Sequence, residues 1–233
     1  MRNLLIIILI SSLGIACHQI NGSGNIVTED RTTGNFTGIE AGGAFEVELQ
    51  NGNPTLVRVE ADDNLIKLIE TKIEGNTLKI AAKQGMSLNN ATYKVFITAP
   101  EIEYINMSGA ATATIKGILK NSTKIKLESS GAASIYGEIE APEVETEASG
   151  AAAISISGRT KNYTAVSSGS ATTKANSLLS ETTSASSSGA ANLQVYSSVN
   201  LKAEASGASN IHYKGGGTTV IKVSGAANCE KGE

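Results

Sequence analysis

Apolar and polar residues alternate through the second half of the chain, in a pattern that repeats every 18–22 residues. Even positions counted from the centre of each repeat are mostly apolar or small, and odd positions are mostly polar. A period of two is typical of a strand with one buried face. A repeat of this length is typical of one coil of a β-solenoid. The sequence therefore predicts stacked parallel coils over residues 105–233, in an all-β fold.

A glycine lies at the centre of each repeat, and the residue before it is serine in all seven. These pairs are Ser108 and Gly109, Ser130 and Gly131, Ser149 and Gly150, Ser168 and Gly169, Ser188 and Gly189, Ser206 and Gly207, Ser224 and Gly225. We interpret each pair as a tight turn at one corner of a coil. There the glycine adopts a positive φ and the serine hydroxyl bonds nearby backbone. A row of hydroxyls that binds a glycan is the alternative.

The column two residues after each glycine is predicted to point inward and is uniformly small. Its members are Ala111, Ala133, Ala152, Ala171, Ala191, Ser209 and Ala227. The columns four residues before and four residues after each glycine are also predicted to point inward. Cys229 is the final member of the column four residues after the glycine. Such small residues predict an interior that is thin and too full to hold a ligand.

Residues 26–104 carry strand patterns but no Ser-Gly-Ala triplet. Larger apolar residues, such as Phe36, Phe45 and Leu65, gather here. We predict a less regular N-terminal part that closes one end of the solenoid, within a single domain at residues 26–233. The stretch 62–69 predicts a short helix capped by Asp62 or Asp63.

The first residues are typical of a targeting segment. A positive start, an apolar run and small residues over positions 1–16 predict a secretory signal peptide. Cys17 follows directly, and residues 13–17 resemble a bacterial lipobox, although Gly14 stands where leucine is usual. We therefore predict lipid attachment at Cys17 and a polar tether at residues 17–25. An ordinary cleaved signal peptide with an incidental Cys17 is the alternative.

Composition argues against several functions. The net charge of -3 and pI near 5.6 disfavour nucleic-acid binding. The chain has three Asp and two His, and the repeats have one arginine, Arg159; solenoid enzymes need clustered acid/base or metal-binding groups. His212 lies at an odd position, where an isolated surface histidine is the expectation. We predict no enzyme activity, no catalytic residue, no cofactor and no metal ligand, and leave open whether the acidic stripe Glu138–Glu147 binds a cation.

The chain resembles the bacterial family called putative auto-transporter adhesin, head GIN domain. The resemblance rests on the lipobox-like start, Gly24-Asn25-Ile26, the strand end at Ala99-Pro100 and the glycine-centred repeats from Ser108 onward. Many family members have Gly-Ser-Gly where this chain has Ser-Gly-Ala. The family implies a single-stranded parallel β-helix of the pectin-lyase type and a role in cell adhesion. It brings no catalytic residues.

The sequence thus predicts a lipid-anchored adhesion or surface-scaffold module of the cell envelope, placed at the outer membrane on a face that stays open. Its expected partners are the membrane, through the N-terminal lipid, and an unidentified protein or glycan surface, with a homo-oligomer left open. The alternative function is a glycan-binding or glycan-active solenoid with its site in the N-terminal half.

Overall fold

The structure is a computed structural model that describes residues 18–89 and 93–232. The predicted signal peptide at residues 1–16 and the predicted lipid site Cys17 lie outside the described residues. Within them the chain forms twenty strands and one 3-10 turn at Ile66–Leu68. The strands before the repeats are β1 His18–Asn21, β2 Ile26–Arg31, β3 Gly38–Ala41, β4 Glu46–Asn51, β5 Leu56–Asp62, β6 Ile69–Glu74, β7 Thr77–Ala82, β8 Met86–Asn89 and β9 Tyr93–Ala99.

The repeats form the remaining strands. They are β10 Tyr104–Met107, β11 Thr112–Lys120, β12 Lys124–Ser129, β13 Ser134–Ala148, β14 Ala153–Ser167, β15 Thr172–Ser187, β16 Asn192–Tyr196, β17 Asn200–Ala205, β18 Asn210–Lys214, β19 Thr218–Val223 and β20 Asn228–Lys231. Every pairing between these strands is parallel and joins equivalent positions of neighbouring coils. The predicted all-β, single-stranded parallel β-helix is confirmed.

Each coil has two main faces and a short third side. Face A is the ladder before the glycine turn, and runs through β10, β12, the last parts of β13, β14 and β15, then β17 and β19. Face B is the ladder after the turn, through β11, the first parts of β13, β14 and β15, then β16, β18 and β20. The third side joins face B back to face A through residues 118–120, 138–141, 157–160 and 177–180.

The inward columns are buried as the period of two predicts. Ala111, Ala133, Ala171, Ala191 and Ser209 have 0% of their surface exposed, and Ala152 has 1%. Most inward polar side chains are hydrogen-bonded, as the hydroxyls of Thr146 and Tyr163 are to each other at 2.8 Å, whereas the buried hydroxyl of Ser129 has no partner among the described residues. The paired hydroxyls avoid the cost of burying an unsatisfied polar group.

The last coil departs from this pattern because no described strand covers it. Ile221 and Val223 lie in columns that are buried in earlier coils, yet they are 38% and 47% exposed. Cys229 is half-buried. The inward side chains of the last coil are therefore partly exposed, because this end of the solenoid is open in the described structure.

The N-terminal part mixes parallel and antiparallel pairing. β5 pairs antiparallel with β2 and β9, and β6 pairs antiparallel with β7. β7 and β9 then join the solenoid in parallel through β3 and β4. Phe36, Phe45 and Leu65 are buried here, so the antiparallel strands cover the apolar end of the first coil.

The stack of coils begins one coil before the first Ser-Gly-Ala triplet. Gly43 has a φ of 85°, and its backbone lies directly beneath Gly109 in the stack. β3 and β4 flank it and pair with β10 and β11. The glycine column therefore starts within the part that we predicted as irregular, at a Gly-Gly-Ala sequence that lacks the serine.

Two local predictions for the N-terminal part were wrong. The short helix predicted at residues 62–69 is only the 3-10 turn, without a side-chain cap; Asp62 and Asp63 instead accept hydrogen bonds from residues 23–25. Those bonds also replace the predicted free tether: residues 18–25 are held against the domain, with strand β1 parallel to β8.

No helix in the described ranges is long and apolar enough to cross a membrane.

Candidate functional site

The seven serine-glycine pairs form one straight corner between face A and face B. Their glycines all have φ between 71° and 74°. In each coil the amide after the glycine donates to the glycine carbonyl of the coil before, as Ala151 N does to Gly131 O at 2.7 Å. A Cβ on Gly150 would lie 2.9 Å from that same carbonyl oxygen. Backbone stacking, rather than a side chain, therefore sets the spacing at this corner.

The serine hydroxyls do not hold the turns. Across residues 18–89 and 93–232, none of the seven makes a hydrogen bond, whereas the serine backbone does, as in Ser149 N to Ser129 O at 3.0 Å. The predicted hydroxyl-to-backbone bonds are thus absent there, because the amides of the turn already bond to the coil before. The hydroxyls remain at the surface and available to a ligand.

The acidic stripe on face A is paired with lysines of the preceding coil. Lys124 Nζ lies 3.4 Å from Glu143 and 2.6 Å from Glu145, and Lys126 Nζ lies 2.9 Å from Glu147. The hydrogen bond that Lys124 donates to Glu145 raises the pKa of Lys124. The hydrogen bonds that Lys126 donates to Glu128 and Glu147 raise the pKa of Lys126. A cation at this stripe would have to compete with two lysine charges, so the arrangement disfavours one.

The structure also shows the surroundings of two other candidate residues, His212 and Cys229. His212 faces outward as predicted but is not isolated, since its Nδ1 lies 3.0 Å from Glu230. Burial raises the pKa of the Cys229 thiol, which makes it a poor nucleophile. The described residues contain no group of three or more His, Cys, Asp or Glu that could hold a metal ion.

A groove of about 1000 Å³ runs along the opposite corner, where the third side meets face A. We call it the corner groove; it is lined by residues of successive coils at positions 100–101, 120–122, 140–142, 159–161, 179–181, 196 and 198. Since paired strands lie about 4.8 Å apart, six such levels span roughly 24 Å. It is therefore long enough for an extended ligand that follows the solenoid axis.

The floor of the corner groove is made of small side chains whose polar atoms are already bonded. Asn121 Oδ1 accepts from the amides of Thr123 and Lys124. Thr160 donates to the carbonyl of Pro142 at 3.1 Å, and the hydroxyl of Ser180 bonds to Thr183. A small residue at each inward bend keeps the corner concave, and its hydrogen bonds keep the groove rigid.

The walls of the corner groove carry charges that the fold leaves free. Lys120, Glu140, Arg159 and Leu179 are stacked in register along the third side. Lys120 pairs with Glu140 at 3.0 Å. The side chains of Arg159 and Lys161 are exposed, and neither has an ion pair or hydrogen bond with any described residue. The same is true of two carboxylates in the groove lining, Glu101 and Glu181.

Apolar surface lies next to these two cations. The side chain of Leu179 is 46% exposed, one coil from Arg159, and Tyr196 lines the same groove. Free cations beside an aromatic and an aliphatic side chain suit a ligand with anionic groups and flat apolar faces.

Sequence reasoning missed this groove. It noted Arg159 only as the one arginine of the repeats, and it placed the alternative glycan site in the N-terminal half. The groove lies in the coils, and its residues lie at the bend where repeat lengths vary. Glu140 and Arg159 each lie nine residues after their glycine, but Lys120 lies eleven and Leu179 ten residues after theirs. A count from the glycine therefore does not reveal that all four residues are aligned.

A sequence model of the family described as "Putative auto-transporter adhesin, head GIN domain" matches residues 35–217. No curated protein matches the chain.

Solved structures share the fold across most of the chain. A putative adhesin from Bacteroides fragilis NCTC 9343 superposes with a TM-score of 0.85 at 21% identity, over 91% of this chain and 99% of that one. A putative adhesin from Parabacteroides merdae ATCC 43184 gives 0.77 at 18% identity, over 93% and 100%. A protein from Parabacteroides distasonis ATCC 8503, described as a putative lipid binding protein, gives 0.74 at 21% identity, over 92% and 100%. At these identities the likeness shows the fold alone.

Proposed function

Because the chain belongs to the family described as putative auto-transporter adhesin, head GIN domain, we propose that it is a lipid-anchored adhesion module of the bacterial cell envelope. Its N-terminal lipid on Cys17 holds it to the outer membrane, and its corner groove makes the adhesive contact. The groove carries the proposal, because it is a long concave surface on the solenoid and its lining includes the unpaired cations Arg159 and Lys161.

The distribution of carboxylates supports binding rather than catalysis. Asp30 pairs with Arg58 at 2.6 Å, and Asp62 and Asp63 hold the N-terminal segment. Glu140 in the corner groove is paired with Lys120. Acid/base catalysis needs a free carboxyl group within hydrogen-bond reach of the reacting atom. Most carboxylates of the described chain have such partners; Glu101 and Glu181 line the groove without an ion pair to a described residue, and we propose binding there and no reaction.

An acidic polysaccharide is the first ligand class to test, since Arg159 and Lys161 are separated by one residue across the bend. A guanidinium binds carboxylate through two parallel hydrogen bonds, and exposed Leu179 offers an apolar surface to a sugar ring. This makes glycan binding the second candidate function, now with its site in the coils.

We expect Arg159→Ala combined with Lys161→Ala to weaken binding to an acidic polysaccharide by at least about tenfold, the equivalent of about 1.4 kcal/mol. Each substitution removes a charged donor that no described residue uses, so the fold should not change. The measurement is the force needed to detach protein-coated beads from glass that carries polygalacturonate, an acidic polysaccharide. Glass that carries a neutral polysaccharide or albumin gives the background force.

The matched control for this pair removes two cations elsewhere. Lys174 and Lys231 likewise have no ion pair in the described chain, and Lys174→Ala with Lys231→Ala changes the net charge equally. Equal losses in both double variants would show non-specific attraction. Unchanged detachment after the groove substitutions would place the contact elsewhere on the surface.

We expect Cys17→Ser to release the protein from the membrane fraction or to leave an uncleaved precursor, because serine offers no thiol for the lipid. Fractionation and intact mass measure this. Cys229→Ser is the control and should leave both unchanged. A Cys17→Ser protein that still sediments with membranes, at the mass of the unsubstituted protein apart from the substituted atom, would contradict the anchor. Protease shaving of intact cells then decides which side of the outer membrane the domain faces.

A further inference from the structure

The described structure begins with a strand at His18, the residue after Cys17. Strand β1 begins at His18 and pairs with β8 in parallel through four consecutive residues, from His18 with Met86 to Asn21 with Asn89. Ile20 and Leu88 both pack against the hydrophobic core. The proposed lipid attachment site is thus bonded directly to a strand of the domain, and consecutive Cα atoms are about 3.8 Å apart.

The residues after β1 are also fixed. Asn64 Nδ2 donates to the Asn21 carbonyl at 2.9 Å, and the amides of Ser23 and Gly24 donate to Asn64 and Asp62 at 3.1 and 2.6 Å. A flexible linker would let the domain rotate freely above a membrane. This segment is bonded at several points, so an anchor at Cys17 holds one particular surface close to the bilayer.

That surface is apolar. A groove of about 480 Å³, which we call the apolar groove, borders β8; among its lining residues are Ala44, Ala81, Ala82, Met86 and Leu88. Ala44 and Ala81 are exposed, and Met86 and Leu88 are half-buried. Contiguous exposed apolar surface on a soluble domain marks a contact with a partner or a membrane.

Two lysines lie on segments whose backbones lead to the start of β8. The amide of Met86 bonds to the carbonyl of Lys83, and the amide of Lys83 bonds to the carbonyl of Leu68, which follows Lys67. The side chains of Lys67 and Lys83 are exposed and have no ion pair with any described residue. Lysines next to an apolar surface are suited to anionic lipid headgroups.

We propose that the face formed by β1, β8 and the apolar groove lies directly on the lipid surface, so that the domain stands on its membrane in a fixed orientation. This inference rests on the lipid anchor at Cys17 in the proposed function. The corner groove belongs to a different corner of the coils from the glycine turns that border the apolar groove, so it remains open to a ligand.

The absence of tryptophan from the sequence allows a direct test. Lipidated protein carrying Met86→Trp or Ala81→Trp would be reconstituted into anionic vesicles whose acyl chains are brominated, because bromine quenches indole fluorescence at short range. Val220→Trp is the control, in the last coil, where Val220 is 55% exposed. Apolar faces that lie on membranes enter about 5–10 Å, so we expect brominated lipid to lower the emission of both test variants at least about twofold and that of Val220→Trp little.

The outcomes separate the inference from the anchor. Co-flotation of the protein with vesicles and the lipidated mass, together with quenching of both test variants, support the inference. Co-flotation with both tryptophans no more quenched than Val220→Trp overturns it while the anchor stands. Shielding of both tryptophans that grows with protein concentration but not with brominated lipid also overturns it, in favour of a second copy. A protein that neither floats nor carries lipid overturns both proposals.

Two variants guard against a folding artefact. Ala81 is exposed, so a larger side chain there does not enter the core, whereas Met86 is half-buried. Each variant must keep the unfolding midpoint of the unsubstituted protein in urea. If Met86→Trp fails that requirement, Ala81→Trp alone decides between the outcomes.

Discussion

Gly150→Ala should destabilise the solenoid by about 2–4 kcal/mol. Two costs add. The residue has a φ of 73°, a left-handed conformation that costs an L-residue about 1–2 kcal/mol. Its new Cβ would also lie 2.9 Å from the carbonyl oxygen of Gly131. That oxygen accepts the amide of Ala151, so it cannot move away without lengthening a bond between coils.

Gly117→Ala separates the two costs. Gly117 has almost the same φ, 71°, but no atom lies within 4 Å of its would-be Cβ. This substitution should therefore cost only the backbone strain of about 1–2 kcal/mol. Urea denaturation followed by circular dichroism would give both free energies of unfolding. Equal losses for the two variants would show that the glycine column does not set the contact between coils.

The regular coils were predictable because each repeat gives the same information again. One glycine fixes the corner, and the period of two then decides which side chains point inward. Thr146 and Thr173 are polar, yet both are buried as their columns require. Their environment is set by alternation and not by the hydrophobicity of the individual residue.

The N-terminal part was less predictable because its key contacts join distant residues. The polar sequence at residues 18–25 is typical of a linker, and only the pairing of β1 with β8 and the hydrogen bonds with Asp62, Asp63 and Asn64 turn it into fixed structure. Those partners lie about forty positions or more further along the chain. Likewise Gly43 joins the glycine column across an insertion that no fixed spacing reveals.

The corner groove was not predictable for a different reason. Its floor depends on small residues such as Ala141 and Ser180 at a bend that follows the position where β14 and β15 shift register. Its charges are unremarkable in sequence. They become a candidate site only because the structure places Arg159 and Lys161 in a groove without ion pairs to described residues, while most other charges on the coils are paired.

Ala152→Leu should cost about 1–3 kcal/mol, because it adds three carbons to an inward column that has no spare volume. Ala152 is 1% exposed, and Ala133 and Ala171 in the same column of the neighbouring coils are fully buried. The larger side chain would push apart the two faces of its own coil. Since each coil pairs only with its neighbours, the strain should pass along the stack and lower the unfolding midpoint of the whole domain.

Ser149→Ala is the control in the same coil. Its hydroxyl is exposed and makes no hydrogen bond with the described residues, so the change should stay within about 0.5 kcal/mol. Comparing the urea midpoints of the two variants tests the inward register directly. A neutral Ala152→Leu would mean that the column borders a cavity or solvent. A costly Ser149→Ala would mean that the hydroxyl supports the turn after all, and the backbone account of this corner would then be incomplete.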